Sequence, residues 1–243
     1  NALQNALWCC PNLKFLKIYP EKLRNYESMQ WPTAASPLPI LNLDYLEIVD
    51  FAFTLDIFSQ SSIKKLSIKF ENMNKIGDFH HFYRFLRTQT QLRSLRMENF
   101  NGNFDLSSGI QFQLVRLQLI SCGNLCSPRF AKFLNLHRDS LESCRVNEVE
   151  DVKLLNLLAD MKKLVELDAV INFKACKEPP FIMFNIEILK LKIINDGPYN
   201  LLQYFPNVTS LNVTKLVNTG IDKLHRPVDL EMVDSVVDID ITN

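Results

Sequence analysis

The 243-residue sequence predicts an α/β solenoid of about ten stacked repeats. In this fold a parallel sheet lines the concave face, and helices and irregular turns occupy the convex face. Three observations predict it. A short apolar pattern recurs along the whole chain, polar residues alternate with the apolar ones inside it, and several connecting stretches have helical periodicity. We expect a single solenoid domain over residues 1–243.

The recurring pattern is an apolar residue, two variable residues, a second apolar residue, one variable residue and a third apolar residue. Its starts lie 20 to 30 residues apart, at Leu13, Leu43, Ile63, Leu92, Leu114, Leu141, Leu164, Ile186, Val208 and Val236. Side chains alternate along a strand, so the last two apolar residues of each unit face one core. One unit cannot bury that face alone, and stacked units share it. The spacing is typical of leucine-rich repeats and predicts their horseshoe.

Doubly wound α/β sheets also alternate strands and helices, and they are the main structural alternative. Their strands are buried on both faces and are therefore continuously apolar. Here the positions between the apolar residues are polar, as at Lys65, Ser67, Arg96, Arg116 and Gln118. One face of the predicted sheet should therefore lie in water, which favours the solenoid.

Four connecting stretches carry apolar residues at helical spacing. Pro128 is placed to open one of these helices, since the first turn does not need its missing N–H. The four apolar sets are Phe79, Phe82, Phe85 and Leu86; Phe130, Phe133 and Leu134; Val152, Leu155, Leu158 and Met161; and Tyr199, Leu202 and Phe205.

Residues 10–18, CPNLKFLKI, closely resemble a phrase of the leucine-rich repeats in F-box proteins. Residues 117–122, LQLISC, resemble the cysteine-containing subtype of these repeats, and residues 130–142 are similar to insect-type members. Residues 205–211 repeat the first phrase in weaker form. The resemblance implies a divergent substrate receptor of a cullin-RING ubiquitin ligase. The F-box itself would lie upstream of Asn1, and the sequence looks like part of a longer chain.

Charge and cysteine content restrict the partners and the compartment. The chain has 27 Lys and Arg against 27 Asp and Glu, which disfavours a non-specific grip on nucleic acid. It lacks the long apolar run of a transmembrane helix. Its six cysteines do not cluster at the ends, which predicts reduced, mostly buried thiols in a cytoplasmic or nuclear protein. Two glycosylation sequons, at Asn207 and Asn212, argue mildly for secretion.

The sequence predicts a binding protein rather than an enzyme, without cofactor or metal. It contains six glycines and no phosphate-binding loop. His80 and His81 would point about 100° apart on a helix, so they do not readily chelate one ion. Cys122 and Cys126 have no second pair to complete a zinc site.

The repeat pattern assigns side chains to the concave face, where we expect a protein partner to bind. Lys65, Arg96, Arg116 and Arg145 are predicted to form a cationic ladder across consecutive strands, about 4.8 Å apart. Stacked like charges oppose each other unless a partner relieves them. An acidic or phosphorylated protein segment is the proposed ligand, and a solvated face with freely varying charges is the alternative. The predicted binding residues are Phe15, Tyr19, Tyr45, Lys65, Lys69, Arg96, Arg116, Arg145, Glu166 and Asp168.

Two roles remain open for such a face. The first is the substrate-recognition domain of an F-box-type ubiquitin ligase receptor, which would reach the ligase core through an upstream F-box. The second is a stand-alone adaptor or inhibitor without a ligase role. Neither requires catalysis by the repeats, and function in such folds is decided by the site and not by the fold.

Overall fold

The computed structural model describes residues 2–19, 39–49, 55, 58–70, 79–104, 109–149, 152–172, 182–194, 201–216 and 233–240. The chain divides into two compact units, Asn1–Ser140 and Leu141–Asn243. Each unit is α/β and is described by itself. The single solenoid domain remains a prediction.

Unit 1 contains five parallel strands that pair in chain order. The strands are β1 (Phe15–Ile18), β2 (Tyr45–Val49), β3 (Lys65–Lys69), β4 (Ser94–Glu98) and β5 (Arg116–Ile120). A separate two-residue strand, Asn42–Leu43, pairs in parallel with Ser62–Ile63 just before β2 and β3. The predicted strand positions of the first five repeats are confirmed.

Unit 2 contains five strands, of which the first four are parallel and pair in chain order. They are β6 (Ser143–Val149), β7 (Glu166–Asn172), β8 (Ile188–Ile194), β9 (Ser210–Leu216) and β10 (Val233–Asp240). The last strand runs antiparallel to β9, so the prediction of a tenth repeat like the others is wrong. The apolar pattern could not show this, because side chains alternate in both strand directions.

Four helical segments lie between strands, as predicted, and a further helix precedes β1. They are α1 (Ala2–Trp8), α2 (Phe79–Thr88), α3 (Pro128–Asn135), α4 (Val152–Ala159) and a 3-10 turn (Leu201–Tyr204). Pro128 occupies the first turn of α3, and the Ser127 side chain caps the helix by accepting a hydrogen bond from the backbone N–H of Phe130 at 3.2 Å. The predicted fourth helix is only the 3-10 turn, and Tyr199 lies outside the described residues.

One backbone arrangement recurs where the chain enters the strands of both units. Six carbonyl groups each accept hydrogen bonds from two successive N–H groups of the following repeat, at 2.8 to 3.1 Å. All six belong to the residue after the first apolar position of the pattern: Lys14, Lys64, Arg93, Glu142, Val165 and Glu187. At these six places the chain therefore passes from one repeat into the next through the same bend; at Asp44 the bond differs, because the N–H of Lys64 donates to the carbonyl of Leu43 at 3.1 Å.

The apolar face of β2 to β8 is buried, together with an aromatic cluster in unit 1. Phe100 lies at the centre of this cluster, with ring centroids 4.8 Å from Phe79, 5.1 Å from Phe104, 5.4 Å from Phe70 and 5.8 Å from Phe82. These contacts join α2 to the segments that follow β3 and β4. The opposite face of the same strands is left for the polar side chains of the candidate site.

Candidate functional site

The exposed face of β1 to β5 carries two ordered rows of side chains. Strand register places Phe15 opposite Tyr45, and Lys65 opposite Ser94, which in turn lies opposite Arg116. Leu46 of β2 lies opposite Leu66 of β3, so the residues before them, Tyr45 and Lys65, are also neighbours. We call this set the first row; its members are Phe15, Tyr45, Lys65, Ser94 and Arg116.

The second row lies two residues further along each strand and joins oppositely charged and polar residues. Its members are Lys17, Glu47, Ser67, Arg96 and Gln118. Alternation along a strand places both rows on one face. The two rows therefore form one continuous surface on the five strands of unit 1.

Aromatic side chains lie at the β1 end of this surface. Phe15 is 67% exposed and Tyr19, just beyond β1, is 44% exposed. Tyr45 is partly buried beside them. The structure thus brings together the three aromatic residues that the sequence predicted as binding residues.

Glu47 connects these aromatic residues. Its carboxylate accepts hydrogen bonds from Tyr45 Oη at 2.7 Å and Tyr19 Oη at 2.9 Å, and it pairs with Lys17 Nζ at 2.9 Å. Partial burial raises the pKa of Glu47, but the three hydrogen bonds outweigh burial and leave this pKa below its ordinary value. Glu47 is not among the binding residues predicted from the sequence, although the opposite charges of Lys17 and Glu47 at equivalent repeat positions were a usable signal.

The same network changes the acidity of its donors. Burial first, and then the hydrogen bond to Glu47, raise the pKa of Tyr45. The hydrogen bond to Glu47 also raises the pKa of Lys17, whose Nζ lies 5.6 Å from the centre of the Tyr45 ring. At neutral pH the cluster therefore holds the Glu47 carboxylate, the Lys17 ammonium group and the protonated Tyr45 phenol.

The cations of unit 1 do not stack as predicted. Lys65 and Arg116 belong to the first row, whereas Arg96 belongs to the second and lies opposite Ser67 and Gln118. The predicted ladder of directly opposed like charges is wrong for these three residues. The pattern identified which face each cation occupies, but the register between strands decides which residues are neighbours.

Some of the predicted cations of unit 1 form ion pairs within the chain, and others do not. Glu98 lies 3.4 Å from Arg96 and 3.9 Å from Lys69. Lys65 and Arg116 are both exposed, and neither forms an ion pair with any residue in the described ranges. The positive charge of the surface that is still available to a partner is therefore concentrated on the first row.

In unit 2 the predicted residues are paired with each other or with neighbours. Arg145 lies opposite Asp168, with 3.2 Å between Nε and Oδ2. Glu166 accepts a hydrogen bond from Ser143 Oγ at 2.7 Å and lies 3.4 Å from Lys190 Nζ. The predicted binding residues of unit 2 are therefore paired inside this unit.

Two of the thiols, Cys122 and Cys144, are made less acidic by burial. Burial raises the pKa of Cys144 to about 12 and that of Cys122 to about 11, so both are protonated at neutral pH. Cys9, Cys10 and Cys126 are exposed, so the prediction of mostly buried thiols is wrong for them. Cys176 lies outside the described residues.

Neither a metal centre nor a membrane span is found in the described ranges. No group of three or more His, Cys, Asp or Glu side chains there is arranged to hold a metal ion. Among the helices of those ranges, none combines the length and apolar composition that crossing a bilayer requires. Comparisons with family models, with curated proteins and with solved structures found no significant match to this chain.

Proposed function

We propose that this chain is a leucine-rich-repeat solenoid that binds another protein through the exposed face of its sheet. The shared bend supports the repeat assignment, because the same pair of N–H groups bonds to the same carbonyl position in successive repeats of each unit. A solenoid built in this way presents a continuous row of side chains from several repeats.

A single observation carries the binding proposal: the first row combines exposed aromatic surface with two cations that form no ion pair in the described ranges. Phe15 is 67% exposed, and Lys65 and Arg116 form no ion pair in the described part of the chain. Exposed aromatic groups and arginines are the residues that contribute most to protein interfaces. The surface therefore suits a protein partner that brings both apolar and anionic groups.

We further propose a substrate-receptor role in an F-box-type ubiquitin ligase, in the cytoplasm or nucleus. This proposal rests on the motifs at residues 10–18 and 117–122, which resemble the repeats of such receptors. These motifs lie in the repeats and are not part of an F-box. A stand-alone adaptor or inhibitor without a ligase partner is therefore the alternative. Both roles use the same binding face and require no catalysis by the repeats.

The test is quantitative affinity purification from cells with the full-length protein in three forms. These are the wild type, the double variant Arg96→Glu with Arg116→Glu, and the control Lys132→Glu, which reverses an exposed charge on α3. We expect a defined set of proteins to be recovered with the wild type and the control but lost with the double variant. Identical sets in all three forms would contradict binding through this face.

The same experiment separates the two roles. Recovery of a cullin subunit by all three forms, together with partners that only the double variant loses, supports the substrate receptor. Recovery of those partners without any ubiquitin ligase subunit supports the adaptor or inhibitor. The folding of each variant is checked by its unfolding free energy, because charge reversals at exposed positions normally change it little.

A further inference from the structure

We propose that the first row binds an acidic peptide segment in the polyproline II conformation, with one apolar residue and two carboxylates placed at three-residue intervals. This inference rests on the proposed binding function and deepens it by naming the chemistry and the spacing of the partner. It follows from the positions of Phe15, Lys65 and Arg116 on the exposed face of unit 1.

These three residues are evenly spaced across the sheet. Phe15 lies on β1, Lys65 on β3 and Arg116 on β5, with Tyr45 and Ser94 on the strands between them. Neighbouring strands are about 4.8 Å apart, so each step from Phe15 to Lys65 and from Lys65 to Arg116 is about 9.6 Å. A partner that crosses the strands meets one apolar position and then two cationic ones at equal intervals.

The chemistry along the row changes from apolar to cationic. Phe15 is the most exposed of the large hydrophobic residues in the described ranges, and Tyr45 lies beside it with its hydroxyl directed to Glu47. Lys65 and Arg116 are exposed and form no ion pair in those ranges. Ser94 between them is uncharged and partly buried, so an acid can approach either cation without meeting a carboxylate in the row.

The second row does not compete for the same ligand. Lys17 is paired with Glu47 at 2.9 Å, and Arg96 with Glu98 at 3.4 Å. A carboxylate placed there would have to displace an existing partner. The first row is therefore where an acidic ligand gains charge-assisted hydrogen bonds without losing any.

The interval selects the conformation of the ligand. A polyproline II segment has three residues per turn and rises about 3.1 Å per residue, so every third side chain returns to the same side after about 9.3 Å. That distance matches two strand spacings. An extended β-strand repeats on one side after about 6.7 Å, and an α-helix reaches a similar distance only after seven residues, at about 10.5 Å.

An acidic peptide fits better than nucleic acid. A base could stack on Phe15, but the row offers only two cations, and the chain as a whole has equal numbers of basic and acidic residues. Nucleic acid binding needs several phosphate contacts to be tight. Apolar contact at one end and two carboxylate contacts at the other are within reach of a seven-residue peptide.

The test uses fluorescein-labelled synthetic peptides and the full chain, with fluorescence anisotropy as the measurement. The parent peptide contains Leu-Ala-Pro-Glu-Ala-Pro-Glu, in both the forward and the reversed order. The comparison peptides place the same leucine and glutamates two or seven residues apart, or replace both glutamates by glutamine. A peptide with phosphoserine in place of both glutamates and a single-stranded oligonucleotide are measured beside them. The protein forms are the wild type, Phe15→Ala, Lys65→Glu, Arg116→Glu and the control Lys132→Glu on α3.

We expect the parent peptide, in either its forward or its reversed order, to bind at least about tenfold more tightly than the peptides with other spacings and than the glutamine peptide. Lys65→Glu and Arg116→Glu should each weaken this binding by about tenfold or more, because each replaces an attractive contact by a repulsive one. Phe15→Ala should also weaken it, since the apolar end loses its contact. Lys132→Glu should leave the affinity unchanged.

Several results would overturn the inference. They are equal binding of all spacings, no effect of replacing glutamate by glutamine, tightest binding of the seven-residue spacing, or equal effects of Arg116→Glu and Lys132→Glu. Tighter binding of a phosphoserine peptide or of a single-stranded oligonucleotide would also overturn it. If the peptides fail while the double variant still loses its protein partners in cells, the proposed binding function stands and only this inference fails.

Discussion

The hydroxyl of Tyr45 donates a hydrogen bond to the carboxylate of Glu47, two residues along the same strand, at 2.7 Å. Residues two apart share one face of a strand, so this contact lies flat on the exposed surface of unit 1. Lys17 of β1 and Tyr19, the residue after β1, contact the same carboxylate. Glu47 therefore orients the aromatic end of the first row.

Replacing Glu47 by glutamine should lower the free energy of unfolding at pH 7 by less than about 1 kcal/mol, because its partners Lys17 and Tyr19 are exposed and water screens their contacts with the carboxylate. The pKa of Glu47 is below 4.5 in the folded chain. The stabilisation by the carboxylate is thus present above pH 4.5 and is lost as the pH falls through the lowered pKa. Urea unfolding at several pH values should show the difference between wild type and Glu47→Gln shrinking in this acidic range; a difference that does not change with pH would contradict it.

His137 should make unit 1 less stable in mild acid. It is fully buried between Phe112 and Phe133, and Nδ1 accepts a hydrogen bond from the N–H of Leu114 at 3.3 Å. Burial lowers the pKa of His137 to about 4. Between pH 6.5 and 4 the unfolded chain therefore takes up a proton that the folded chain does not. The free energy of unfolding should fall across this window, by on the order of 3 kcal/mol in total.

The variant His137→Gln tests this effect, because glutamine can accept a hydrogen bond but does not titrate. We expect a lower stability at pH 7, through loss of the ring contacts, and a flatter dependence of the unfolding free energy on pH between 6.5 and 4. His80→Gln, at an exposed position of α2, is the matched control and should keep the wild-type slope. A wild-type slope in His137→Gln would show that other groups cause the acid sensitivity.

Phe100→Ala should destabilise the protein by about 3–5 kcal/mol, because a large buried ring leaves a cavity. Phe100 is fully buried and in contact with four other phenylalanine rings. Phe15→Ala makes the same chemical change at a 67% exposed position and should cost less than about 0.5 kcal/mol. Chemical denaturation of both variants measures the difference. Equal losses would mean that Phe15 is packed in the folded chain and is not a free docking residue.

Asn207→Ala should cost about 0.5–1 kcal/mol, since the side chain links two successive repeats of unit 2 by a hydrogen bond. Its Nδ2 donates to the carbonyl of Phe184 at 2.7 Å, and Asn185 makes the equivalent contact to Met161 at 3.5 Å. Asn156→Ala, at an exposed position of α4, is the control and should be neutral or slightly stabilising. A neutral Asn207→Ala would mean that the backbone bonds alone hold these repeats together.

The candidate site shows how far local patterns reach. The sequence identified most of the exposed side of the strands in unit 1, and with it Phe15, Tyr45, Lys65 and Arg116, but it was wrong for Ser67, which is buried. It did not identify Glu47 as the residue that connects the aromatic groups, because that role depends on three donors that converge in space. It also placed Arg96 in a single ladder with Lys65, whereas the register puts them in different rows.

The sequence by itself determined the α/β class, the positions of the strands, the buried face of β2 to β8 and the helices α2, α3 and α4. Each of these follows from side-chain periodicity within a short stretch, which a strand or a helix imposes locally. Only the tertiary structure decided that β10 is antiparallel, that Arg96 pairs with Glu98, and that Lys65 and Arg116 share a row without internal partners. These depend on strand direction, strand register and side-chain convergence, which arise between segments tens of residues apart and leave no periodicity in the sequence.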